Sequence, residues 1–138
     1  MKRGDVLTRL YADTSAFIKI IIQEAESAEL ASYLDEVYSV GNELIISRLT
    51  FTELFCVLKR SYSHIDWSKS VDQALRNVDV YPIEDRDFTV AADSNWRLRG
   101  ADAIHLAAAK RLRCDTMLVF DRELADAAKS EGLKVPEF

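Results

Sequence analysis

The sequence predicts an α/β fold, a three-layer arrangement in which a central, mostly parallel sheet of four to five short strands carries about seven helices on its two faces. Three observations carry this expectation. Short, nearly all-apolar segments alternate along the chain with segments of helical periodicity, the order expected of parallel strands joined by helical crossovers. Glycine (4) and proline (2) are scarce, which favours long regular elements over the many turns of an all-β chain. The length, 138 residues, suits one domain, expected over 1–138 with its core at about 9–132. A chain of that size buries roughly two thirds of its unfolded surface without staples.

The elements follow in order. Leu7–Ala12 reads as a first strand ending at Asp13, and Thr14-Ser15 opens a helix running through the apolar stretch Phe17–Ile22. A second helix is expected from about Ala25 to Val40, with Leu30, Leu34 and Val37 among the residues of its apolar face, and Gly41-Asn42 ends it. Glu43–Ser47 is a short strand of the buried parallel kind. Phe51, Leu54, Phe55, Leu58 and Tyr62 recur at helical spacing and mark the clearest helix. Another helix starts at Asp66, with Val71, Ala74, Leu75 and Val78 inward, and Val78–Ile83 reads as a third strand near Pro82. Asp85–Leu98 and the alanine-rich Ala101–Leu112 are the next two helices, broken apart at Gly100. Thr116–Phe120 is a fourth strand ending at Asp121, a helix runs on through Glu131 to Gly132, and Leu133–Val135 offers a fifth edge strand.

Composition narrows the function classes. No apolar run approaches the roughly 18 residues of a membrane span, and Met1–Val6 has cations but no apolar stretch after them, so a cytoplasmic protein is expected. Cys56 and Cys114 stand alone in apolar stretches, as small buried hydrophobes do, and are too few for a zinc site. Eighteen cations against 23 acids give a net charge of −5, which does not by itself suggest a nucleic-acid binder. The distribution is uneven: from Arg97 to Arg113 the cations Arg97, Arg99, Lys110, Arg111 and Arg113 face only Asp102, a net +4 that taken alone reads first as a solvated helix face.

Ligands of open α/β sheets gather beyond the carboxyl ends of the strands. Asp13 and Asp121 close the first and fourth strands, Glu53 falls in the helix after the second, and Asp102 opens the helix after Gly100. Each has a structural explanation as well. Asp13 and Asp121 suit helix N-caps, Asp102 suits the positive end of a helix, and Thr50-Phe51-Thr52-Glu53 spells a capping box that puts Glu53 in the first turn.

Four segments together resemble the PIN domain, and within it the VapC-like toxins of bacterial and archaeal toxin–antitoxin pairs. They are Tyr11-Ala12-Asp13-Thr14-Ser15-Ala16, Ser47-Arg48-Leu49-Thr50-Phe51-Thr52-Glu53-Leu54, Gly100-Ala101-Asp102-Ala103-Ile104-His105-Leu106-Ala107-Ala108-Ala109, and Val119-Phe120-Asp121-Arg122-Glu123-Leu124. They occur in the family's order and span nearly the whole chain. The resemblance implies a metal-dependent ribonuclease whose acidic residues are Asp13, Glu53, Asp102 and Asp121, acting on single-stranded or loop RNA such as tRNA or rRNA. It implies an antitoxin partner and a homodimer. One departure is Phe120, where the family often has a hydroxyl residue beside its fourth acid.

The chemistry agrees with the resemblance. Carboxylates about 4 Å apart repel by roughly 4 kcal/mol per pair at an effective dielectric near 20, a cost that a hard divalent cation removes. Mg²⁺, or Mn²⁺ in its place, takes one or two carboxylates directly and keeps waters, so Asp13 and Asp102 are the expected direct ligands, with Glu53 and Asp121 acting through water or at a second position. Thr14 and Ser15 are expected to touch the metal shell or the phosphate, and Arg97 and Arg99 to draw RNA phosphates to the acids. His105, one turn past Asp102, is expected to pack or to support a ligand rather than bind metal, and Trp96 to sit partly buried beside Leu98. Two other classes of function stay open at this point: a PIN-type RNA-processing nuclease without an antitoxin, and a non-catalytic scaffold or receiver-like phosphoacceptor module.

Overall fold

A computed structural model of the chain describes residues 8–138. The elements are β1 (Arg9–Ala12), α1 (Thr14–Ile21), α2 (Ser27–Ser39), β2 (Glu43–Ser47), α3 (Arg48–Ser61), α4 (Ser68–Leu75), β3 (Asp79–Tyr81), α5 (Asp85–Asp93), α6 (Gly100–Arg111), β4 (Thr116–Leu118) and α7 (Arg122–Ser130). The expected start of the first strand at Leu7, and the Met1–Val6 segment, lie outside the described residues.

The four strands are all parallel, in the order β3-β2-β1-β4, with Tyr11 of β1 in register with Ile45 of β2 and Met117 of β4. Alternation along the strands sends their side chains into two cores. Leu10, Ala12, Leu44, Ile46 and Leu118 pack with residues of α1 to α4, including Phe17, Leu30, Leu54 and Val71. Tyr11, Ile45 and Met117 point the other way, against Leu106, Ala109 and Leu112 near and within α6 and Leu124 and Ala128 of α7. The sheet therefore has helices on both faces, as its double-sided apolar strands require. Because β1 and β4 are neighbours whose following helices lie on opposite faces, the chain diverges between them. That divergence opens a crevice at the carboxyl edge of the sheet.

Several boundaries differ from the sequence expectation. The helix expected over Asp85–Leu98 stops at Asp93, and Ser94 is extended. Its Oγ donates to the Ala91 carbonyl and accepts from the Trp96 N–H, which turns the chain toward α6. The fourth helix begins at Ser68, because the Asp66 carboxylate is used outside the helix to accept the Ser68 N–H. The fifth strand shrinks to a single parallel bridge between Thr116 and Lys134. Cys56 is exposed, against expectation, whereas Cys114 is buried and its thiol is pushed up to about 12 by that burial. Gly41, with φ at +79°, ends α2 as expected, letting the Asn42 N–H reach back to the Val37 carbonyl.

Candidate active site

Each acid is set by the way its own element begins. Ala12 is the last residue of β1, and the Asp13 N–H extends the pairing with β4 by donating to the Leu118 carbonyl at 3.2 Å. Asp13 then caps α1. Its Oδ1 accepts the Ala16 N–H at 3.1 Å and the Ser15 hydroxyl at 2.6 Å, and Oδ2 has no donor among the described residues. Asp121 repeats the arrangement at α7, where its Oδ1 accepts the Leu124 N–H at 2.9 Å. Capping and a place at the strand ends are thus compatible, because a cap uses one carboxylate oxygen of two.

Glu53 does not sit where the capping box would put it. Ser47, the last residue of β2, is the N-cap of α3, its Oγ accepting from the Leu49 and Thr50 N–H groups. The helix therefore begins three residues earlier than the Thr50 cap requires, and Glu53 falls in its second turn. The Thr50 hydroxyl donates instead to the Ala12 carbonyl. This frees the Glu53 carboxylate to cross to two other elements. Its Oε1 accepts the Thr14 hydroxyl of α1 at 2.6 Å and lies 2.7 Å from Nε2 of His105 on α6.

Asp102 stands in the first turn of α6, and no donor among the described residues reaches its carboxylate. It lines a cleft of about 160 Å³ with Leu98, Arg99, Asp121 and Glu123. Larger hollows among the described residues, of about 410 Å³ beside the C-terminal residues, about 340 Å³ beside Thr8 and Lys134 and about 310 Å³ between α3 and α4, hold none of the four acids. The small cleft matters more, because an ion needs charged oxygens and little volume.

The acids feel one another. Burial, with Asp121 next and Glu53 further behind, raises the Asp102 carboxyl above its usual range, against His105 and Arg99. Burial lifts Asp13 to about 6; Asp102 adds to the rise, while Ser15, His105 and the Ala16 N–H pull it back. For Glu53, burial opposes ionisation, but the hydrogen bonds from His105 and Thr14 outweigh it and hold the carboxyl below the usual range. Among the described residues no three His, Cys, Asp or Glu side chains close together tightly enough to cage a metal ion. Asp102, Asp121 and Glu123 make an open oxygen rim at the cleft, a donor set whose chemistry fits a hard cation keeping part of its water shell and does not fit a soft or fully coordinated one.

The sequence-derived residues thus divide. Asp102 and Asp121 line one cleft, Thr14 and His105 tie Glu53 to the Asp13 and Asp102 helices, and Ser15 donates to Asp13 while accepting the Phe120 N–H beside Asp121. Both arginines are exposed; Arg99 lines the cleft, and Arg97 is not among its walls. Lys110 and Arg111 of the basic segment pair elsewhere, with Glu131 and with Asp87 and Glu84. Trp96 is partly buried, its indole N–H on Glu131. Sequence reasoning passed over Glu123, a further acid in the cleft, and Tyr11 and Ser47. The signal for Tyr11 was present: a phenol in an otherwise apolar buried strand needs a polar partner.

Acids at the strand ends of a doubly covered parallel sheet are the arrangement of the PIN fold, and comparison with known proteins agrees. The family model described as PIN domain matches residues 10–130, and the chain belongs to that family. Among curated proteins it is similar to Ribonuclease VapC46 of Mycobacterium tuberculosis, 31% identical over 94% of this chain and 97% of that protein. Ribonuclease VapC35 of the same species is 34% identical over 91% of this chain and 94% of that one. Among solved structures, VapBC2 from Rickettsia felis, bound to a DNA fragment from its promoter, superimposes with a TM-score of 0.67. It covers 95% of this chain and 99% of that chain at 12% identity, a likeness of fold.

Proposed function

We propose that the chain is a metal-dependent endoribonuclease that hydrolyses RNA phosphodiesters, and that it is the toxin of a VapBC-type toxin–antitoxin pair. The observation that carries the reading is the gathering of like-charged acids from four separate elements: Asp102 and Asp121 line one cleft, Glu53 is joined through His105 to the Asp102 helix and through Thr14 to the Asp13 helix, and the Ser15 hydroxyl links Asp13 to the Phe120 N–H beside Asp121. A fold gains nothing from such repulsion unless a cation offsets it. The family match and the ribonucleases named among the relatives support the same conclusion.

Asp13 and Asp102 would hold Mg²⁺ or Mn²⁺ directly, with Glu53 and Asp121 engaged through water or at a weaker second position. When bound, the cation supplies positive charge for the phosphate oxygens and acidifies a water for in-line attack. The chain's own groups do the rest. Thr14 and Ser15 hold Glu53 and Asp13 in place and lie where a phosphate or the ion's water shell would meet them. A carboxylate of the rim accepts the attacking water's proton. Arg99 at the cleft, with Arg97 outside it, draws the RNA backbone toward an otherwise acidic pocket. The partners that follow are a single-stranded or loop RNA, such as a tRNA or rRNA segment, a cognate antitoxin and a second copy of the chain. The compartment that fits them is the cytoplasm, and no helix among the described residues is long and apolar enough to cross a membrane.

The test is sequencing of RNA ends after brief induction of the wild-type chain beside Asp13→Asn. New ends at defined positions with the wild type and none with the variant support the reading. Identical end profiles from the two contradict it.

A further inference from the structure

A line of buried polar groups runs from the sheet to the Glu53 carboxylate. The Tyr11 phenol oxygen, on β1, is 2.8 Å from the Ser47 hydroxyl and 2.7 Å from Nδ1 of His105. The other ring nitrogen of His105 is 2.7 Å from Oε1 of Glu53. Tyr11 is 0% and His105 1% exposed, so neither polar group has water as an alternative partner. The two rings meet edge to face with centroids 5.7 Å apart, which fixes the imidazole's tilt as well as its position. Ser47 is also the N-cap of α3, the helix that bears Glu53. The line therefore leaves α3 at its first turn, passes through β1 and α6, and returns to α3 at the acid.

Both donors to Glu53, His105 and Thr14, act on Oε1, and among the described residues none acts on Oε2. A carboxylate gripped at one oxygen by groups from two elements has its plane set and its second oxygen left over. Core packing alone does not ask for this: phenylalanine at Tyr11 and leucine at His105 would fill similar space without buried polar atoms. We propose that His105 and Tyr11 are positioning residues, which hold Glu53 so that its Oε2 is presented to a divalent cation in the oxygen rim. The inference rests on the metal-dependent reading above.

Mn²⁺ alone is the probe, its affinity measured by isothermal titration calorimetry on the purified full chain, with the folded fraction of each variant checked by circular dichroism. A glutamine amide nitrogen takes the place of the histidine Nε2, and an asparagine amide takes the place of Nδ1. His105→Gln therefore keeps the grip on Glu53, and His105→Asn keeps the contact with Tyr11 but releases Glu53. The expected result is a loss of about 10-fold or more in Mn²⁺ affinity for His105→Asn, in the range seen when an outer partner of a metal ligand is removed. His105→Gln recovers most of that loss, and Tyr11→Phe, which keeps the ring, falls between the two. Wild-type affinity in folded His105→Asn, or an equal loss in the Gln and Asn variants, overturns the proposal. Should His105→Asn fail to fold, Tyr11→Phe decides: weakened binding supports the proposal and wild-type binding refutes it. Asp13→Asn is the control for the underlying site. If it too binds Mn²⁺ like the wild type, the metal reading itself has failed; if it alone is weakened, only the positioning role has.

Discussion

Asp13 caps α1 through one carboxylate oxygen while almost wholly buried, and that burial governs its proton. Its folded carboxyl is raised to about 6 from an ordinary 3.8, chiefly by burial. Between those values the folded state keeps a proton that the unfolded state has released, so stability falls as pH rises from about 4 to about 6. The size is on the order of 3 kcal/mol for a shift of roughly two units. Asparagine caps a helix as well as aspartate does and carries no titrating proton, which makes Asp13→Asn the reference. In urea unfolding of the metal-free protein, the wild type should lose stability relative to Asp13→Asn across that window and hold a constant difference above about pH 7. A difference independent of pH from 4 to 7 would show that Asp13 is not a strained buried acid. The same proton must leave before a cation binds, so divalent affinity is expected to climb through this range.

At the scale of elements, the α5–α6 pair determines where the Asp102 helix lies. Arg111, in the last turn of α6, bonds the buried Asp87 through Nε and Nη2, and reaches Glu84 and the Pro82 carbonyl as well. Arg111→Ala would leave Asp87, 1% exposed, as an unpaired buried carboxylate. The expected cost is about 3–5 kcal/mol in urea unfolding, against less than about 1 kcal/mol for Arg86→Ala, which removes an exposed pair. Equal small losses in both variants would mean that the clamp carries no weight. This contact was hidden in the sequence, where Arg111 counted toward a basic patch; charge totals along a segment do not show which cations are already paired. The capping box failed for a related reason. Thr50 and Glu53 have the right spacing, but Ser47 three residues earlier takes the cap, since β2 passes into α3 without a loop. Local motifs compete, and the winner depends on where the preceding strand ends.

For the molecule as a whole, the sheet order was legible only in outline. Alternating apolar and helical segments implied a parallel α/β core, and the four acid-bearing segments were readable because each marks the end of a strand or the start of a helix. The neighbouring placement of β1 and β4 depends on packing between residues about a hundred apart, which no local pattern encodes. That placement brings Asp13 and Asp121 to one crevice, with α3 and α6 delivering Glu53 and Asp102. The proposed function requires these acids to share a divalent cation that assists RNA cleavage. Its most direct test is cleavage of RNA by purified wild type and Asp102→Asn, first in EDTA and then with Mg²⁺ or Mn²⁺ restored. The expected result is that EDTA stops the wild type, that the cation restores it, and that Asp102→Asn stays at least about 100-fold slower, a direct ligand mattering more than an outer one. Undiminished cleavage by the wild type in EDTA, or wild-type rates from Asp102→Asn once the cation is returned, would contradict it.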